Sequence, residues 1–351
     1  MGSIHVARKP LIHINDSTSQ RMWLVSLVAG LVIIQSALTD HFATLFIAIA
    51  AVVSAVIMEL AINSARGTFT LRDGSAITTA LVLTLLLPNT IHPVIAVFGS
   101  LFAIGIVKQA YGGLGTNWLN PALGGWLFAT VSWPKSFLEA LNESPLQILY
   151  QAVDRGLIDP SGSPLAILKI AGYKVSSQDT LLTSVCNQTI FSQMNAELPA
   201  GYFDFFNLSG PAMIADRGIL ILLIGTIIIT AFRINKPLIP TVYIGIYLLL
   251  VRLFGALFYG GTLGNGDMIF GLLSGGTLLS AFILAADPGT GTKSYQAGLV
   301  MAAMAALFGF LFRYFGGFPY GSLYGILLVN ALVPLIRSAE IKLLYTSRRI
   351  V

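Results

Sequence analysis

The sequence predicts an all-α polytopic membrane protein: about ten transmembrane helices in two inverted five-helix halves, with a large extracytoplasmic loop between them. Three observations carry that expectation. Of 351 residues, 55% are hydrophobic and only 10% charged, against about 25% charged in ordinary soluble proteins. So few charges cannot cover the surface of a soluble chain this long, and the hydrophobicity excludes a disordered one. Apolar runs recur at the ~17–25 residues that a bilayer-spanning helix needs. The lysines and arginines also alternate in density from one connecting segment to the next, as topology requires.

Taken in order, residues 1–21 form a polar N-terminal segment with Arg8, Lys9, Asp16 and Arg21, too long and too polar for a signal-peptide n-region. Val6 stands where a myristoylation signal needs Ser or Thr. Spans follow near 22–39, 43–63, 74–88, 91–108 and 118–133, then 218–232, 238–256, 268–286, 295–314 and 320–336. The third is short and ends at Pro88, which points to a broken or re-entrant helix. With the N-terminus inside, thirteen Lys and Arg residues fall on the inner side and seven on the outer, so both termini are expected to be cytoplasmic. Arg252 and Arg313 lie near the outer ends of spans, where an arginine can snorkel. The chain therefore divides into 1–21, a first membrane half 22–133, an outer loop 134–216, a second half 217–336 and a tail 337–351. That loop alone has soluble-protein composition, and a loop so long is functional or disordered.

Five spans on each side of the loop force any repeat to be inverted. A weak repeat exists: Gly74-Ser-Ala-Ile-Thr-Thr-Ala-Leu, ending at Pro88, matches Gly275-Gly-Thr-Leu-Leu-Ser-Ala-Phe, ending at Asp287-Pro288. Tyr111-Gly112-Gly113 matches Tyr314-Phe315-Gly316-Gly317. Lys108 to Ala122 lies at the inner end of the fourth span and holds Gly112, Gly113 and Gly115, which admit backbone geometries closed to other residues. Asn117 and Asn120 set two amides three residues apart, able to give and accept hydrogen bonds. The same run also suits a tight turn with Asn117 as an N-cap, and the phosphate-loop pattern is absent. Asp287, in Ala286-Asp287-Pro288-Gly289, is either a coupling-ion ligand or an ordinary turn starter. Glu59 is the one acid well inside a span, set on an ion or proton path or hydrogen-bonded toward the bundle. His5, His13, His41 and His92 are scattered, with no spacing that suggests a metal site. The single cysteine, Cys186, excludes a disulfide framework and a self-contained zinc or iron–sulfur site, and is taken as incidental.

Three stretches carry a family resemblance: Lys108 to Pro121, Leu273-Ser274-Gly275-Gly276-Thr277 on to Asp287-Pro288, and Arg313 to Gly321 followed by Asn330 and Pro334-Leu335-Ile336. Together they resemble the D subunit of the Rnf complex, the ion-translocating ferredoxin:NAD oxidoreductase of bacteria, and its relative, the B subunit of the sodium-translocating NADH:quinone oxidoreductase. The resemblance implies a multi-pass subunit of the bacterial inner membrane that is part of an electron-transport translocase and not active alone. It implies FMN joined through its phosphate to a threonine in the outer loop by a flavin transferase. A second, noncovalent flavin, riboflavin in the quinone-reductase relative, and coupling of electron flow to Na⁺ or H⁺ movement are implied too. The nearest match to the flavin pattern is Ser177-Gln178-Asp179-Thr180-Leu181-Leu182, which makes Thr180 the expected attachment residue, with Ser176, Thr183 and Thr189 as alternatives. Asp179 stands where the family has Ala, no acid precedes Ser177 at the usual spacing, and Arg337 replaces the family's Asp after Pro334-Leu335-Ile336. The family's Asn pair places the second flavin at Asn117 and Asn120. With one cysteine the chain holds no cluster of its own, so an iron–sulfur partner is expected in the complex; no nucleic acid is. Two other readings remain open: a small-solute channel of urea-transporter type, and a flavin-less structural component of the same complex.

Overall fold

The fold, given by a computed structural model, is described for residues 18–348 apart from 68, 114, 116, 195, 233–236, 288 and 291–293. His5, His13, Pro288 and the Gly291-Thr292-Lys293 end of the second motif thus lie outside the described residues. The first half comprises α1 (Thr18–Thr39), α2 (Ala43–Arg66), α3 (Ser75–Leu85), α4 (Pro93–Phe102), which runs on through a π turn (Ala103–Gln109), and α5 (Pro121–Ser132). Polar caps and prolines set the starts. His92 accepts the Val94 N–H before Pro93, and Asn120 accepts the Leu123 N–H before Pro121, each proline sitting where its missing N–H costs nothing.

The segment expected as an outer loop is folded. It holds α6 (Pro134–Leu141), α7 (Pro145–Asp154), α8 (Pro164–Ile170) and α9 (Ser177–Thr189). Leu149, Leu165, Ile167, Leu168 and Phe205 are fully buried there and continuous with the membrane core. The second half follows as α10 (Ile214–Arg217), α11 (Ile219–Ala231), α12 (Leu238–Leu250), α13 (Ala256–Phe258), α14 (Met268–Leu273), α15 (Thr277–Leu279), α16 (Tyr295–Phe310) and α17 (Gly321–Arg348). Among the described residues, five helices are long and apolar enough to cross a bilayer: Thr18–Thr39, Ala43–Arg66, Leu238–Phe258, Tyr295–Phe315 and Gly321–Ala339. The remaining five expected spans are shorter or broken, the eighth as well as the third.

The two halves pack alike. In the first half α2 packs on α4 and α4 on α5; in the second, α12 packs on α16 and α16 on α17. Each half also has a short helix that begins at a left-handed glycine break. The first break is at Gly74, before α3; the second is at Gly275 and Gly276, between α14 and α15. Gly74 (φ 73°), Gly275 (φ 70°) and Gly276 (φ 67°) are left-handed, a conformation that only glycine adopts without strain. The halves join where α1 meets α11 and where Pro88 bridges Met213. The face on which α1 begins is called the near face below; α6 to α9 lie on the far face.

Candidate functional site

At the near-face break the two halves of a buried ion pair come from distant segments. Lys108 sits in the π turn, whose extra residue per turn re-aims side chains, and its ammonium reaches into the bundle. It donates to Glu59 Oε1 at 2.9 Å, Glu59 Oε2 at 2.8 Å and Ser75 Oγ at 2.6 Å. Both charged side chains are essentially inaccessible, at 2% and 0%. Thr70 Oγ1 also donates to Glu59, so the carboxylate is saturated, the condition under which a buried pair is tolerated. It is the only Lys/Arg–carboxylate pair among the described residues.

Lys108 and Ser75 open onto a cavity of about 60 Å³, also lined by Arg21, Asn117, Asn120 and Asp287. Here the sequence candidates meet. Asn120 Oδ1 caps α5 through Leu123 N at 3.2 Å, while its Nδ2 donates to Asp287 Oδ2 at 3.0 Å, across 167 residues of sequence. Asp287 further accepts from Gly289 N and Thr290 Oγ1, each at 3.1 Å. Asn117, with its amide turned to suit its neighbours, donates to Lys108 O and Gly113 O at 3.1 Å. The N-cap is therefore Asn120 rather than Asn117. About 60 Å³ holds roughly two waters, at ~30 Å³ each, or a small cation. A separate groove of about 370 Å³ is lined by Phe102, Tyr111, Trp118 and Phe128.

The far-face break is built differently. Arg313, expected to snorkel, is fully buried. Its Nη1 donates to Ser274 O at 2.9 Å, Tyr247 Oη at 3.0 Å and Gly271 O at 3.3 Å, and its Nη2 to Ser274 Oγ at 2.7 Å. The carboxylate at this break, Asp216, accepts from Gly275 N at 3.2 Å and Gly276 N at 3.0 Å. Arg252, by contrast, is exposed at the far end of its helix, as a snorkelling arginine should be.

On the far face, Thr180 is exposed on the first turn of α9, its Oγ1 donating only to Ser177 O of the same helix, at 2.8 Å. The alternatives are differently placed. Ser176 caps α9 and bonds Asp204; Thr183 is buried on Asp179; Thr189 ends the helix. Asp179, the departure from the family pattern, is buried and accepts from Thr183 Oγ1, Gly201 N and Asp204 N. It ties α9 to the chain that returns toward the membrane. Burial, then the Asp204 and Asp179 carboxylates, push the Tyr173 phenol above its ordinary value. Ser177, Gln178 and Leu182, which bracket Thr180, line a groove of about 1040 Å³ that also takes in Phe203 and Leu31. Cys186 is half-buried and unpaired, and no metal-binding cluster occurs among the described residues.

The chain matches the model of the NQR2, RnfD, RnfE family over residues 5–345. It belongs to that family. Among its relatives, the D subunit of the proton-translocating ferredoxin:NAD(+) oxidoreductase complex of Clostridium ljungdahlii is 30% identical, over 94% of this chain and 92% of the relative. The D subunit of the Na(+)-translocating ferredoxin:NAD(+) oxidoreductase complex of Acetobacterium woodii is 32% identical over 81% and 77%. The D subunit of the ion-translocating oxidoreductase complex of Citrobacter koseri is 30% identical over 94% and 95%. A proton-named and a sodium-named relative resemble the chain equally, so family likeness leaves the ion open. Within this family member, sequence reasoning found Glu59 and Asp287 but missed Lys108, Asp216 and Arg313. The available signal was the repeat itself: Lys108 and Arg313 each precede a matched glycine pair by a few residues.

Proposed function

We propose that this chain is the membrane subunit of an ion-translocating oxidoreductase complex of the ferredoxin:NAD type, and that it carries FMN on Thr180. The observation that carries the flavin reading is the setting of that hydroxyl. It is exposed, released at the cost of one bond within its own helix, and flanked by a groove of about 1040 Å³, room enough for a flavin. A phosphodiester on the first turn of α9 lies at the positive end of the helix dipole, whereas Thr189 at the other end would meet the negative one. Ser176 and Thr183 are held by bonds that fix the loop. Bound there, the flavin supplies one- and two-electron transfer; the loop fixes its attachment point, and Asp179 keeps α9 docked while it is carried.

The near-face cavity supports ion movement. Asp287 and Asn120 offer oxygens at its mouth, and Glu59 lies behind Lys108. A cation approaching Glu59 must displace the Lys108 ammonium, so electron flow that shifts Lys108 would admit or expel an ion. The second flavin, expected at Asn117 and Asn120, belongs to the same reading, and no step is assigned to it. The charge distribution supports a cytoplasmic near face with both termini cytoplasmic; with one cysteine in the chain, any iron–sulfur cluster of the complex belongs to a partner. The test is in-gel flavin fluorescence of the denatured chain, co-expressed with a flavin transferase, with peptide mapping. Fluorescence mapping to residues 174–193 and lost in Thr180→Ala is expected. A chain without covalent flavin, while the transferase labels another substrate, would overturn the reading.

A further inference from the structure

The second half contains a cluster of buried hydroxyls that make no well-aligned hydrogen bond. Tyr243 Oη on α12 lies within reach of Ser280 and Ser322, and all three hydroxyls are inaccessible. Tyr243 stacks on Tyr247 with ring centroids 6.1 Å apart, and Tyr247 Oη accepts from Arg313. Tyr259 and Tyr320, in the same electrostatic neighbourhood as Arg313, hold two more such hydroxyls. Unsatisfied polar groups in a protein interior recruit water. A file of waters along hydroxyls and carbonyls conducts protons, and with carbonyl oxygens on it also small cations. A protein that helps to build an ion gradient cannot leave such a file open.

Arg313 stands across it. Its guanidinium is held by two carbonyls, Ser274 and Gly271, and by the hydroxyls of Ser274, Tyr247 and Thr277. That is the oxygen shell a dehydrated alkali cation would take, filled by a cation on a tether. The shell contains no carboxylate. The countercharge arrives through one peptide group: the Ser274 carbonyl accepts from Arg313 at 2.9 Å, and the N–H of the same peptide, on Gly275, donates to Asp216 at 3.2 Å. Positive and negative charge thus clamp the Ser274–Gly275 peptide from its two ends, and each polarises it in the same sense. Because a guanidinium does not deprotonate in proteins, the charge is permanent, and a fixed positive charge in a narrow polar path is a barrier to cations.

We propose that Arg313 is an electrostatic seal, closing a hydroxyl-lined leak for protons and small cations through the second half. Asp216 is its positioning residue, acting through the Ser274–Gly275 peptide. Neither flavin nor Glu59 enters this inference; it rests on the proposed ion-translocating role only for the need to be tight, and the leak is measured without it.

The test uses the full chain reconstituted in liposomes without an electron donor, under a valinomycin-set potential, with entrapped pH-sensitive and Na⁺-sensitive dyes. The unaltered chain is expected to be tight. Arg313→Gln is expected to raise H⁺ or Na⁺ leak at least tenfold, Arg313→Lys to stay near the unaltered value, and Asp216→Asn to fall between. Adding Tyr243→Phe, Ser280→Ala and Ser322→Ala to Arg313→Gln is expected to lower the leak again. An Arg313→Gln protein that is helical, monodisperse and tight overturns the seal; equal leak in the Lys and Gln variants shows a packing defect and overturns it too. Should Arg313→Gln not insert, Asp216→Asn and Ser274→Ala take its place. A severalfold leak in both supports the seal, and tightness in both overturns it.

Discussion

The two helix breaks have the same backbone and opposite electrostatics. Each begins with a left-handed glycine, and each places the first hydroxyl of the resumed helix, Ser75 or Thr277, within reach of a cation from a π turn, Lys108 or Arg313. At the near face the cation meets its carboxylate directly, 2.8 Å from Glu59, beside a cavity of about 60 Å³. At the far face a peptide group separates Arg313 from Asp216. The difference teaches what each break is suited to. On the proposed function, a lysine ammonium facing a carboxylate next to a cavity is the one to be exchanged for a mobile ion. A guanidinium held by carbonyls and hydroxyls, with its countercharge out of reach, is a fixture.

The largest effect should come from splitting the direct pair. Lys108→Met leaves Glu59 buried and uncompensated, which costs about 3–5 kcal/mol. Glu59→Gln alone should cost a similar amount, because it strands the ammonium. The double variant Glu59→Gln/Lys108→Met should recover most of the loss, since an apolar or neutral pair of similar volume is often tolerated as well as an ion pair. Unfolding of the four proteins in detergent, followed by circular dichroism, closes the double-mutant cycle. A double variant as unstable as the sum of the singles would show that the two residues do not act as a pair.

How much of this was legible in the sequence follows from the kind of signal each residue leaves. Hydrophobic runs marked the apolar helices, five of them of spanning length among the described residues, because bilayer length and a lack of charge are read locally. The breaks were partly legible: the weak repeat matched Gly74 to Gly275, while Pro88 pointed to the other end of α3, and Ser274-Gly275-Gly276 lay inside an otherwise apolar stretch and read as one span. Glu59 announced itself as an acid where none is expected. Its partner did not, because a lysine at a span end is also what topology demands, and only the π turn brings Lys108 inward. Arg313 was hidden in the same way, by the ordinary habit of arginines at span ends. The Asn120–Asp287 contact joins residues whose separation carries no local pattern at all. In the far-face segment, polar composition read as a loop, because short capped helices such as α8 bury too few residues to show a period.

A smaller effect is expected at the peptide-bridged pair. Asp216→Asn keeps one acceptor for the Gly275 and Gly276 N–H groups and turns a donor toward the other, a loss of about 1–3 kcal/mol. Its coupling to Arg313→Gln in a double-mutant cycle should be smaller than that between Glu59 and Lys108, since the charges meet only through a peptide. A coupling as large as the near-face value would mean that the two breaks are electrostatically alike, and the division between an exchangeable and a fixed cation would be lost.

The backbone predicts the opposite of a difference. Gly74→Ala and Gly276→Ala each force a left-handed residue to carry a Cβ, which costs about 1–2 kcal/mol in conformational energy. Each new Cβ also meets one side chain, the Trp23 ring at 2.9 Å in the first case and the Met213 methyl at 2.8 Å in the second. A methionine end swings aside more readily than an indole, so Gly276→Ala should sit at the lower end of that range and Gly74→Ala at the upper. The comparison isolates geometry from charge, because neither substitution removes a charged group, and the Gly276 N–H that Asp216 accepts is kept in alanine. If both variants lose stability by similar small amounts in the same detergent unfolding assay, the breaks are one backbone device used twice. If Gly276→Ala instead matches the Lys108→Met loss, the far-face break carries strain that the near-face one lacks, and the repeat does not extend to the conformations that define it.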